Sequence, residues 1–312
     1  MPISGLFKRK SRGGGGGGSG RTPAIGMYGK LESEGDFLRW GAANSPEVKA
    51  LDEWLSQALT YAARNLDDWD DSFDRAPTAG FCLRGADGQQ SLVGAMTPSR
   101  DQIGRRFPLL VFSEVDESTL TSTYHGLPYL SFIRDARALL SHRDRLTRDT
   151  LVAALGRMRA PASSELAAAC TEHEAYVARS DCASAFAAIF GLSHVVQQGR
   201  ALATLRRALG ALRPEDRRGR WGLRAPSGAH SADGAALWIS LARRYASLAI
   251  LPNVLFTDQA VLLYFGEVSN KALVALWRPE LSDESICDLA TIDDTEGPEL
   301  EPHTPLSAVF AL

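Results

Sequence analysis

Two segments gather charge, aromatic rings and glycine in patterns suited to recognition. They are Gly26-Met-Tyr-Gly-Lys-Leu31 followed by Gly35-Asp-Phe37, and Pro98-Ser-Arg-Asp-Gln-Ile-Gly-Arg-Arg-Phe-Pro-Leu109. The glycines of the first suit tight turns at a strand end. In the second, Asp101 and Arg105 lie in a loop ahead of a strand, and Gly104 is free to take positive φ. Loops held by a rigid sheet are where recognition residues usually sit. Two readings stay open. Lys30, Asp36, Phe37, Ser99, Asp101, Gly104 and Arg105 form a binding surface, or Asp36, Asp101 and Arg105 form an ion-pair network that braces the loops.

Other constellations carry less chemistry. Cys170-x-x-His173 with Cys182 is the nearest approach to a metal set, but a second ligand pair is missing and helical spacing alone puts 170 and 173 on one face. Gly191-Leu-Ser-His194 is half of a nucleophile elbow without its closing glycine or preceding strand. Asp67, Asp68, Asp70, Asp71 and Asp74 lack the central glycine and terminal glutamate of a calcium loop. Trp69 and Phe73, four apart among them, make these acids the expected solvated face of a helix. The glycine run Gly13 to Gly18 leads into Arg21-Thr-Pro23 rather than the Lys-Ser/Thr of a phosphate loop. No catalytic residue, cofactor or metal is expected.

The elements that must position these residues follow from periodicity. Ile25 to Leu31 reads as a first strand. A helix starts at Pro46 with Ser45 as N-cap, and Val48, Leu51, Trp54, Leu55, Ala58 and Leu59 recur at helical spacing. Gly80–Arg84, Leu92–Met96 and Phe107–Val115 read as strands, the first two joined by a turn at Ala86-Asp-Gly88. Helical pattern runs from about Leu130 to Leu212, and Pro214 to Gly234 reads as a polar, Arg- and Gly-rich loop. Then come a helix over Leu237–Leu251, a hairpin of Val254–Thr257 with Ala260–Phe265, and a short helix Lys271–Trp277. Neighbouring strands with short links imply an α/β chain of the α+β type. Its central, mostly antiparallel sheet of about five to six strands is flanked by helices, with a helical elaboration in the middle of the chain. The expected divisions are a flexible basic leader (1–23), a core (24–160), a helical elaboration with an Arg-rich loop (161–229), the end of the core (230–278), and an acidic, largely disordered tail (279–312).

Composition narrows the class further. The chain has 312 residues, a net charge of −3 and a 45% hydrophobic share, which allows a sizeable core and argues against a dedicated nucleic-acid binder. The eight arginines between Val195 and Arg224 lack the interleaved aromatics of a single-strand binder, so a solvated face or a protein contact is expected there. The four scattered cysteines suit a reducing compartment. With no apolar stretch of membrane-spanning length and no apolar run behind the basic N-terminus, a cytoplasmic location without a transmembrane segment is expected. Lys8 to Arg12 leave a peripheral membrane adaptor as an alternative, and the cysteines and histidines a Cys/His-dependent hydrolase.

The two recognition segments resemble the TagF (ImpM) family of bacterial type VI secretion systems. That family's G-x-Y-G-K-L-x-x-x-G-D-F element is matched by Gly26 to Phe37, and its D-x-W-L helix by Asp52-Glu-Trp-Leu55. Trp69, Phe73, Pro77 and Phe81 follow a W-x-x-x-Y…P-x-W-R-F pattern, with Ala79 and Gly80 where the family has Trp-Arg. Thr97 to Leu109 follow M-P-S-x-D-x-x-G-R-x-F-P-L with Thr97 in place of Met, and Pro252-Asn-Val-Leu-Phe-Thr257 is similar to P-S-L-W-W-T. The resemblance covers most of 24–160 and again about 230–278. It implies a post-translational regulator, a repressor, and not an enzyme. The implied partner is a forkhead-associated (FHA) domain protein, within a pathway that also holds a kinase and a PppA-type phosphatase.

Overall fold

The computed structural model describes residues 24–85, 88–122, 129–210, 222–227, 231–246, 252–278, 280–281, 286–289 and 303–311. The expectations for the leader, for the turn at Ala86-Asp87, for 211–221 and 228–230 of the helical stretch and Arg-rich loop, for the helix end at 247–251 and for 290–302 of the tail lie outside these residues. By internal contacts the chain divides into two units. One holds residues up to Leu120 with Ser131–Ala160, and the other holds Thr121–Leu130 with Pro161–Leu312. The described parts of 161–229 fall in the same unit as those of 230–278.

In the first unit, proline at the helix start and a serine before it set where α1 (Pro46–Asn65) begins. The Ser45 hydroxyl accepts the Val48 N–H at 3.2 Å, as its N-cap position requires. The predicted apolar stripe is buried: Val48, Leu51, Trp54, Leu55, Ala58 and Leu59. Ser45→Ala is expected to destabilise this unit by about 1 kcal/mol in urea unfolding, since Val48 N–H loses its acceptor. A midpoint equal to wild type would mean that water caps the helix as well as the hydroxyl does.

The strands of this unit are β1 (Ala24–Gly29), β2 (Leu38–Gly41), β3 (Ala79–Arg84), β4 (Gln90–Thr97) and β5 (Leu109–Asp116), in the order β2-β1-β5-β4-β3. Every pairing among them is antiparallel. Their apolar residues, among them Met27, Phe81, Val93, Leu110 and Phe112, are almost wholly buried. To the same unit belong α2 (Trp69–Asp74), α3 (Glu117–Ser122) up to Leu120, α4 (Leu130–Leu140) from Ser131, and α5 (Arg148–Leu155). Strand β2 was not anticipated: Leu-Arg-Trp-Gly is too short to show alternation, and its pairing with β1 defines it. Ala79 and Gly80 lie buried within β3, so the family's Trp-Arg pair is replaced at core strand positions.

The second unit holds α6 (Ser163–Arg179), α7 (Cys182–Phe190), α8 (Val195–Gly210), α9 (Ser231–Ala246), α10 (Ala272–Trp277) and α11 (Leu306–Ala311). Its strands β6 (Gly222–Pro226), β7 (Asn253–Phe256), β8 (Ala260–Tyr264) and β9 (Ile286–Asp288) lie in the order β7-β8-β6-β9. All are antiparallel except the β6–β9 pair. The hairpin β7–β8 turns where expected, with the Thr257 hydroxyl accepting the N–H groups of Gln259 and Ala260.

Strand β6 corrects the reading of Pro214–Gly234 as a loop throughout: Leu223 and Ala225 are fully buried, and the Trp238 indole donates to the Pro226 carbonyl at 2.9 Å. Within the acidic tail the described residues include strand β9 and helix α11, while 290–302 lie outside them. Asp288 pairs with Arg224 at 2.7 Å, so one tail acid meets the arginine-rich segment. Leu306 is fully buried, and its N–H donates to the Ser180 carbonyl at 2.8 Å. The mixed, mostly antiparallel α/β class is as expected, with the three short strands β2, β6 and β9 added to it.

Candidate functional site

The two recognition segments come together in the first unit because each leaves the same end of its strand pair. Lys30 follows β1, Pro108 precedes β5, and the two strands are paired from Ala24↔Glu114 to Tyr28↔Leu110. This register sets the loop after β1 beside the loop before β5.

Asp101 is the hinge of the arrangement. Its side chain is fully covered, and Oδ2 accepts from Lys30 Nζ at 2.7 Å and Arg105 Nε at 2.6 Å. Its Oδ1 accepts the backbone N–H groups of Ile103 (3.2 Å) and Arg105 (2.8 Å). Burial opposes the charge of Asp101, but the Lys30 and Arg105 hydrogen bonds outweigh it and hold the carboxyl well below its usual range. A carboxylate so held stays ionised near neutral pH. Gly104 sits at φ +85°, the left-handed conformation that closes the turn, and its N–H donates to the Asp101 carbonyl at 2.9 Å.

The second loop is stitched to the first. Gln102 N–H donates to the Glu34 carbonyl at 2.9 Å, and Arg105 Nη2 to the Gly35 carbonyl at 2.9 Å. Beneath them the Phe37 ring stacks on Tyr28 at 5.4 Å and meets Phe107 edge-on at 5.0 Å, with Lys30 Nζ 5.1 Å from its centre. The Tyr28 hydroxyl is pushed up to about 12, by burial first and then by its hydrogen bond with Asp52. The base of the second loop is clamped as well: Ser99 gives its carbonyl to Phe107 N–H at 3.0 Å.

Of the sequence-predicted residues, Lys30, Asp101 and Arg105 therefore meet as an ion-pair triad, with Phe37, Ser99 and Gly104 supporting it. Asp36 does not join this network. It is exposed and accepts the Phe37 N–H at 2.7 Å, a local turn bond, which corrects its place in the proposed brace. Charge bracing and surface presentation occur in one structure: Asp101 is hidden, while the Arg105 side chain is 54% exposed.

Sequence reasoning missed Arg106. In the extended loop it points away from its neighbour Arg105. It forms a two-pronged bond to Asp74 (2.9 and 2.8 Å), reaches Asp70 at 3.1 Å and lies over the Trp69 ring. That bond holds the Asp74 carboxyl below its usual value and raises Arg106. Two of the acids expected on a solvated helix face are thus tied to the recognition loop. The signal was available in the adjacent arginines of an extended segment, which must seek partners on opposite sides. Arg143 adds a further tie, donating to the Thr97 hydroxyl at 3.1 Å and the Asp74 carbonyl at 3.2 Å.

The remaining candidates have structural explanations. Gly191 takes φ +69° and caps the end of α7, with Leu192 N–H returning to the Phe186 carbonyl at 3.2 Å, so Gly191-Leu-Ser-His194 is a helix terminus. His173 shares a hydrogen bond of 3.1 Å with the Ser240 hydroxyl, and burial lowers its pKa. Burial pushes Cys82 up to about 12 and Cys182 up to about 11, and it raises Cys170 and Cys287. These directions oppose thiolate formation. Among the described residues no group of three or more His, Cys, Asp or Glu side chains is arranged to hold a metal ion. Among them, too, no helix is long and apolar enough to cross a membrane.

Comparison with known proteins places this site in a family context. Among curated proteins none matches the chain. Among solved structures, the chain is similar to PA0076 from Pseudomonas aeruginosa PAO1, at 25% identity and a TM-score of 0.38. The alignment covers 44% of this chain and 64% of that one. Residues 26–158 match the family model described as TagF N-terminal domain, type VI secretion system-associated, and they include both loops and every residue of the triad. The chain therefore carries, in residues 26–158, the N-terminal domain of the TagF family, whose members are associated with type VI secretion systems.

Proposed function

We propose that this chain is a post-translational regulator, a repressor, of type VI secretion system assembly. It acts in the cytoplasm by binding an FHA-domain component of the apparatus, within the kinase and PppA-type phosphatase pathway, and it is not itself an enzyme. The observation that carries this reading is the match of residues 26–158 to the TagF N-terminal domain. The geometry supports it by what the loops offer: a stiff, exposed double loop on a sheet, built to present side chains rather than to enclose a substrate. A nucleic-acid target is disfavoured at this site, since Arg100 and Arg106 are neutralised by Glu32 and by Asp70 and Asp74.

The test is calorimetry between the purified chain and the FHA-domain component of its own secretion system, with secretion measured in cells that overproduce the chain. Expected are a Kd of about 1 μM or tighter, near −8 kcal/mol, and reduced secretion. Absence of heat at about 100 μM, where only affinities weaker than roughly −5 kcal/mol escape, would sink the FHA partner. Unchanged secretion would sink repression.

A further inference from the structure

We draw no further inference here: the strongest candidate, the surface patch at the tip of the loop before β5 where the Ile103 side chain is 72% exposed, is flanked by charges of both signs, Glu34 and Asp36 of the facing loop as well as Arg105, and nothing in the structure shows what covers it.

Discussion

Asp101→Ala is expected to lower the unfolding free energy of the first unit by about 3 kcal/mol, the lower end for breaking a buried ion pair. The loss arises less from the attraction removed than from what stays behind. Lys30, with its side chain only 6% exposed, keeps a charge with no counter-ion, and the Ile103 and Arg105 N–H groups lose their acceptor. The figure sits at the lower end because the site lies in a surface loop, where water can reach the vacated space. Adding Lys30→Met should recover part of the loss, because the orphaned ammonium is then gone. Urea unfolding followed separately for each unit distinguishes the two effects. An Asp101→Ala variant as stable as wild type would remove the triad from the account of the fold.

The same carboxylate sets an acid limit. Its pKa is depressed in the folded state, so the stability it contributes is fully present above the unfolded value of about 4 and is lost as pH falls below that. Asp74, held down by Arg106, acts in the same direction. Wild-type stability should therefore decline below about pH 5, and Asp101→Asn should flatten that decline while lowering stability at neutral pH. An identical pH profile for the variant would contradict the linkage.

Gly29→Ala is expected to cost about 4 kcal/mol or more, combining backbone strain with overpacking. Gly29 ends β1 at φ +130°, where side-chain-bearing residues are strained. An added Cβ would stand 2.0 Å from the Pro108 carbonyl oxygen and 2.9 Å from Leu109 Cα, both backbone and unable to swing aside. The substitution thus separates the two loops at the point where the β1–β5 pairing joins them. Against a typical total stability of about 5–15 kcal/mol, a loss of this size leaves about 1–11 kcal/mol, and a measurable unfolded fraction only at the lower end. Gly104→Ala is the control: its φ is also positive, but a Cβ there meets nothing within 4 Å, so only about 1 kcal/mol is at stake. Equal melting temperatures for Gly29→Ala and wild type would show that the chain can part at Pro108 without loss.

These expectations draw unequally on sequence and structure. The composition and the long periodic segments were enough for the α/β class, for α1 with its Ser45 cap, and for the hairpins β3–β4 and β7–β8. Each rests on residues close together in the chain, where capping and alternation act locally. The two loops and the triad residues were also legible as motifs, because glycine, aspartate and arginine at fixed spacing mark a turn.

Tertiary structure alone decided the rest. Whether Asp101 recognises a partner or braces a loop depends on Lys30, 71 residues away, which only the β1–β5 register brings within 2.7 Å. That Asp74 and Asp70 bind Arg106 rather than water, and that Leu223 and Leu306 lie inside a core, follow equally from long-range packing. Strands of three to five residues such as β2, β6 and β9 carry too little pattern to declare themselves, and they form because a neighbouring strand offers its unpaired edge. The sequence determined the kinds of chemistry present and the local turns that could hold them. Which charge is buried, and which is left facing outward, was decided by contacts between residues far apart in the chain, since desolvation depends on what surrounds a group in space.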